Sequence, residues 1–188
     1  MARLFQRWPI GSRPASGMAG CRRGSMLIEF AAVFPILVML LLGLVEFGQA
    51  FAVNRRLTQA AGAVSDLVAQ TPEISTADLD DIARLADEIL KPYPTAPMSM
   101  IVSSVETDRD GHVAVAWSYA HGSGAAAHQP GSGFPLPPGL SQPNSSVIVT
   151  ETFYPFAPGI GLFLTGTIPL SGKGFFRPRL SRTVIFSD

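Results

Sequence analysis

From Phe30 to Val45 the chain holds no charged residue, and apolar character resumes after Glu46 as far as Val53. At ~1.5 Å per residue, such a run makes a helix long enough to cross the ~30 Å hydrocarbon of a bilayer. Further on the pattern turns amphipathic. Leu57, Ala60, Ala61, Val64, Leu67 and Val68 recur at three- and four-residue spacing, with Thr58, Gln59, Ser65 and Asp66 elsewhere around the helix. The spacing predicts one continuous helix that ends near Gln70, because Thr71-Pro72 breaks the run.

Ser75 followed three residues later by Asp78 is a capping signal for a second helix, with Leu79, Ile82, Leu85, Ile89 and Leu90 on one side and Lys91-Pro92 at its end. Asp78, Asp80, Asp81, Asp87 and Glu88 then form a solvated face. Met98–Glu106 and His112–His121 are β-rich, and Asp110-Gly111 between them is a hairpin signal. Alternation puts Val113, Val115, Trp117 and Tyr119 on one face. The stretch 122–144 is rich in Gly, Ala, Ser and Pro and poor in large apolar residues, so a mobile loop is expected there. Ser146–Tyr154 is the next strand. Ile160, Leu162, Phe163 and Leu164 in the segment after it are expected to pack under the domain, the alternative being a contact surface, and strands near Thr167–Phe176 and Arg182–Phe186 complete an antiparallel sheet. The predicted class is α+β: a long N-terminal transmembrane helix extends into a small domain with a second helix packed on an antiparallel sheet.

Charge sets the orientation. Met1–Arg23 carries Arg3, Arg7, Arg13, Arg22 and Arg23 with no acidic residue, which by the positive-inside bias keeps the N-terminus in the cytoplasm and puts the domain on the outer side. Arg55 and Arg56 oppose this, two charges against five. The apolar run is too long for a secretory signal, and Glu46, Gln49 and Arg55 follow it in place of a small-residue cleavage site. The formal charge is zero overall, but without the five leader arginines 9 basic residues face 14 acidic ones, which disfavours a nucleic-acid partner. Cys21 is the only cysteine, so no disulfide framework exists, and the polar stretch before Met18-Ala19-Gly20-Cys21 excludes a lipoprotein signal.

Enzymatic chemistry finds little support. His112, His121 and His128 show no compact ligand spacing. Ser171-Gly172-Lys173-Gly174 fails as a phosphate loop, since the spacing from Gly166 is one residue too long and Gly174 stands where a Ser or Thr would hold magnesium. Glu29 and Glu46 are 17 positions apart, roughly 25 Å along a helix, too far for a paired acid and base. No cofactor and no catalytic or metal-binding residue is expected.

Glu29 demands its own explanation, because a carboxylate inside the end of a spanning helix is costly unless it is paired or at headgroup depth. Its surroundings, Arg22-Arg23-Gly24-Ser25-Met26-Leu27-Ile28-Glu29-Phe30, resemble the processing site of type IV pilin-like precursors. That resemblance implies a cut after Gly24 by a membrane prepilin peptidase on the cytoplasmic side, making Ser25 the first residue and Glu29 the fifth. The freed amine would then pair with the Glu29 carboxylate, less costly in lipid than either charge alone. More narrowly, the segment from Ile28 to Leu67 resembles the N-terminal part of TadE/TadG-like proteins of tight-adherence (Flp) pilus systems. The matching positions are Glu29, Phe30, Ala31, Pro35, Gly43, Glu46, Phe47 and Gly48. Flp pilins are short and typically have tyrosine after the glutamate. Phe30 and the sizeable domain therefore fit a minor pseudopilin or assembly component.

The resemblance implies a layout of a basic cytoplasmic leader (1–24), a transmembrane and extended helix (25–70) with Pro35 bending it locally, and a periplasmic α+β domain (71–188). It implies a non-enzymatic role in pilus biogenesis and surface adherence from the bacterial inner membrane, in or at the tip of a pilus. The implied partners are membrane lipid, the peptidase, and other pilin-like and tight-adherence secretion proteins in a homo- or hetero-oligomer. The alternative is an unprocessed single-pass anchor whose periplasmic domain binds an unrelated ligand, with Glu29 merely interfacial.

Overall fold

The computed structural model describes residues 22–187, with side chains from Met26 onward; the expected leader before Arg22, Cys21 included, lies outside the described residues. The elements are α1 (Arg22–Ala69), β1 (Glu73–Ser75), α2 (Thr76–Leu90), β2 (Ser99–Thr107), β3 (Val113–Gly122), β4 (Ser145–Phe156), β5 (Ile168–Phe176) and β6 (Ile185–Ser187). Two units divide them, the first ending at Leu41 and the second running from Leu42. The class is α+β. The long apolar helix, the second helix and the antiparallel sheet of the sequence reading are all present.

α1 is a single helical element of 48 residues with Pro35 inside it. Proline has no N–H to give the carbonyl four residues back, a loss that helices in lipid tolerate. Of the predicted apolar positions, Leu57, Ala60, Ala61, Val64 and Val68 have no exposed surface and Leu67 is half-buried, while Ser65, expected elsewhere around the helix, is buried with them. They lie against the sheet, and two polar contacts mark the seam. Ser65 Oγ donates to Thr150 Oγ1 at 2.7 Å, and Thr152 Oγ1 lies 3.2 Å from both the Leu57 and Gly172 carbonyls. The closest approach is at β5. A Cβ added to Gly172 would stand 2.6 Å from the Thr58 nitrogen, and one added to Gly174 would stand 2.4 Å from the Ala61 oxygen. Glycine in a strand interior often marks such a backbone approach.

The sheet order is β3-β2-β4-β5, antiparallel throughout. Met100, Val102, Ile148, Tyr154 and Trp117 join the helices in the main core, whereas Val105, Val115, Val147 and Val149 form a smaller cluster of their own. The expectation that Val113, Val115, Trp117 and Tyr119 share a face fails at Ala116. There the register slips, Ser104 facing Trp117 but Val105 facing Val115. One extra residue in a strand reverses every side chain beyond it, so Val113 and Val115 belong to the second face.

That second face is what the segment 122–144 covers, and the expected mobile loop is instead pinned. Val115 N–H donates to the Ser132 carbonyl and receives at its own carbonyl the Gly131 N–H, at 2.9 and 2.8 Å. Phe134 and Leu136 supply the apolar contact. Two large side chains suffice because the sheet provides the rest of the cluster. The last strand also departs from expectation. β6 pairs in parallel with β1, a strand the sequence reading did not include, and does not join the main sheet. Trp117 explains the detour: its indole N–H donates to the Val184 carbonyl at 2.7 Å and its ring stacks on Phe186, holding the terminal segment over the core.

α2 carries the predicted cap in full. Ser75 Oγ accepts from the Asp78 N–H, while the Asp78 carboxylate accepts from the Ser75 N–H. The buried side is Leu79, Ala83, Ala86 and Leu90, with Leu85 exposed, a correction to the predicted stripe. Alanines let the helix lie close, which turns Leu85 outward. Replacing Ser75 with alanine should cost about 1 kcal/mol, the usual value of an N-cap, read as a lower denaturant midpoint; an unchanged midpoint would show that the cap does not support the fold.

Candidate membrane and assembly helix

Residues 26–41 make up a helix with almost no polar surface. Met26, Leu27, Ile28, Phe30, Val33, Phe34, Ile36 and Leu37 are 48–74% exposed, on every side of the axis. A core helix of a soluble protein hides its apolar side chains; one solvated by lipid displays them all round. By length and composition α1 is a candidate membrane span. The Gly24–Ser25 bond lies within α1, close to the first described residue. Glu29 and Phe30 are exposed, and the Phe30 ring lies 5.4 Å from that of Phe34, one turn on.

The second unit contains the other carboxylate. Glu46 has no exposed surface. Its Oε1 accepts from the Leu162 N–H at 2.7 Å, and its Oε2 from the Phe163 and Leu164 N–H groups, each at 2.9 Å. Successive backbone N–H groups turned toward one point form a concave anion site, here filled by the protein's own side chain. Gly161, with φ +70°, allows the sharp turn into it. Gly43, one turn before Glu46, has the Phe163 ring against it; a Cβ there would come within 3.1 Å of that ring. Of the residues in the E-F-G close, Phe47 and Gly48 are exposed, so among these three only Glu46 faces the loop. The loop's apolar residues divide: Leu164 packs on the main core, while Ile160, Leu162 and Phe163 stay exposed, contrary to the expected packing.

Arg56, which counted against the orientation, has structural work. Its guanidinium donates to the Ile89 carbonyl at 2.9 Å and to that of Lys91, and lies over the Tyr93 ring. A cation at the last carbonyls of α2 complements the helix dipole.

The decisive comparison falls on the apolar helix with its two carboxylates. Residues 24–65 match the family model of TadE-like proteins. This TadE-like segment begins at Gly24, includes Glu29, Pro35 and Glu46, and ends inside α1; the sheet lies outside the match. Comparison with curated proteins and with solved structures finds no match to the chain.

The titratable groups on and around the sheet contact one another. His112 Nδ1 lies 3.1 Å from Asp108, whose carboxylate also accepts the Asp110 and His112 N–H groups. His121 stacks on Tyr119, whose hydroxyl donates to Asp80. His128 Nε2 lies 2.9 Å from Glu151, and Lys173 Nζ lies 2.6 Å from its other oxygen. Burial opposes the charge on Glu151, but the hydrogen bonds and charges of Lys173 and His128 outweigh it and hold its carboxyl below the usual 4.5. A carboxyl with a lowered folded-state pKa adds stability above its unfolded value, and this is lost as pH falls through the folded one. Protection of the Val115 amide, corrected for intrinsic exchange, should therefore hold from pH 7 to about 4.5 and decline below it. Loss already at pH 6 would show that another group pins the loop.

Proposed function

We propose that this protein is a non-enzymatic minor pseudopilin or assembly component of a tight-adherence pilus, cut after Gly24 by a prepilin peptidase and anchored in the bacterial inner membrane. The observation that carries the reading is the TadE-like match beginning at the glycine of the cut and spanning the exposed apolar helix. Five leader arginines favour a cytoplasmic N-terminus and an outer, periplasmic domain. After the cut, the Ser25 amine faces Glu29 of its own or a neighbouring subunit, and this pairing sets the register as helices stack in lipid. Phe30 and the apolar side chains beyond it supply the packing, with Phe47 and Gly48 on the part of the helix left open to a partner.

The test separates cutting from assembly. Gly24→Phe should leave the leader attached, since a bulky side chain blocks the close backbone approach that glycine permits. Glu29→Ala should be cut but fail to assemble pili. Normal piliation and adherence in cells carrying only Glu29→Ala would rule out the pairing role. An unprocessed anchor would instead tolerate both changes.

A further inference from the structure

No charged residue occurs between Glu151 and Lys173, a run that includes the end of β4, the loop after it and the start of β5. Ile160, Leu162 and Phe163 in this loop are 52%, 45% and 48% exposed. At the adjoining end of the sheet Phe153, Pro155 and Pro169 line a shallow, mainly apolar recess. Such a patch on the domain has a neighbour of the same character within its own unit: Leu44, Val45 and Phe47 of α1 are exposed beside Gly43 and Glu46, the two positions the loop covers.

Glu46 is the first charged residue after the uncharged run of α1, so the hydrocarbon boundary of the proposed span falls at its level. The loop is tied to that level by three hydrogen bonds, to Leu162, Phe163 and Leu164. The same bonds satisfy backbone N–H groups that an irregular segment could not leave bare in lipid. A carboxylate at this depth is likewise costly unless paired, and the loop supplies its partners. A loop placed there by packing on a soluble domain would have no need to keep its largest apolar side chains outside.

We propose that the loop 157–167 inserts Ile160, Leu162 and Phe163 into the outer interface of the bilayer that α1 crosses, giving the domain a second lipid contact and holding it against the membrane. This inference rests on reading α1 as a span. Lipid is the occupant because the patch adjoins the apolar helix surface at the boundary, is free of charge along its whole run, and has the N–H groups of Leu162, Phe163 and Leu164 satisfied by Glu46. The Glu46 bonds act as the strut that fixes the depth of insertion.

The experiment uses the full chain in Cys21→Ser form, reconstituted in phosphatidylcholine–phosphatidylglycerol vesicles, with an environment-sensitive fluorophore on Ile160→Cys or Leu162→Cys. Leu37→Cys reports the span and Asp110→Cys reports water. Both loop probes should emit at shorter wavelength than the Asp110→Cys probe and be quenched by lipids brominated high on the acyl chain, unchanged on dilution to one chain per vesicle. Water-like emission at both loop sites, with the Leu37→Cys probe still quenched, overturns the proposal and leaves the span intact. A shift that vanishes on dilution also overturns it, assigning the patch to contact between proteins. Water-like emission at Leu37→Cys removes the span itself, and the proposal with it.

Discussion

Gly174→Ala should destabilise the second unit by about 2–3 kcal/mol, since overpacking a tight interface typically costs ~1–3 kcal/mol. The added methyl would stand 2.4 Å from the Ala61 oxygen and 2.6 Å from its carbonyl carbon. Neither atom belongs to a side chain that could rotate away, so α1 or β5 must shift. The opposing benefit, a less flexible unfolded chain, is worth only about 0.4–1 kcal/mol, and the clash wins. A lowering of the melting temperature by roughly 5–10 °C follows for a unit of this size, measurable by circular dichroism in detergent. Gly172→Ala, which meets the Thr58 nitrogen at 2.6 Å, should behave alike. Gly48→Ala is the contrast: nothing lies within 4 Å of its Cβ position, and alanine gains up to about 1 kcal/mol in a helix. An unchanged melting temperature for Gly174→Ala would mean that the helix and strand are not in backbone contact.

Glu46→Ala should release the loop while leaving the sheet folded. Three N–H groups lose their acceptor together, in a setting where water is a poor substitute. Exchange at the Leu162, Phe163 and Leu164 amides should rise roughly 10- to 100-fold, with the β2–β4 ladder unaffected. Glu46→Gln retains the shape but replaces one acceptor oxygen by a donor, which leaves either the Leu162 N–H or the Phe163 and Leu164 pair unmatched. Its effect should be intermediate. If the three amides stay protected in Glu46→Ala, something other than the carboxylate holds the loop.

Local rules carried the sequence reading where neighbours in sequence decide the structure. The end of α1 before Thr71-Pro72, the Ser75–Asp78 cap and the Asp110-Gly111 turn are all as read. What escaped depends on residues far apart. The loop that meets Glu46 lies 116 residues away, and nothing beside Glu46 in sequence announces it. The bulge at Ala116 inserts one residue in a pattern that reads as unbroken alternation. β6 leaves the main sheet for β1 because Trp117 and Val184 hold it there, a tertiary choice no strand propensity contains. The signal at Gly172-Lys173-Gly174 was available: tested as a phosphate loop it failed, yet alternate glycines within a strand also mark a backbone pressed against the face. The glycines of Gly159-Ile160-Gly161 similarly foreshadowed a loop that wraps an anion, one that proves to be intramolecular.

The candidate site was legible to a different degree in its two halves. The TadE-like segment was visible as Gly24, Glu29, Pro35 and Glu46 in and just before an apolar run, and the family match, residues 24–65, covers the stretch that holds them. The domain that carries the sheet offered only composition and strand pattern. Its contribution to the site, the loop on Glu46, emerged from the fold alone.

Mass spectrometry of the protein extracted from membranes of cells that contain the prepilin peptidase tests the account most directly. A mature chain beginning at Ser25, free of the five leader arginines and Cys21, is the predicted result. A chain that retains its leader intact in those cells would contradict it.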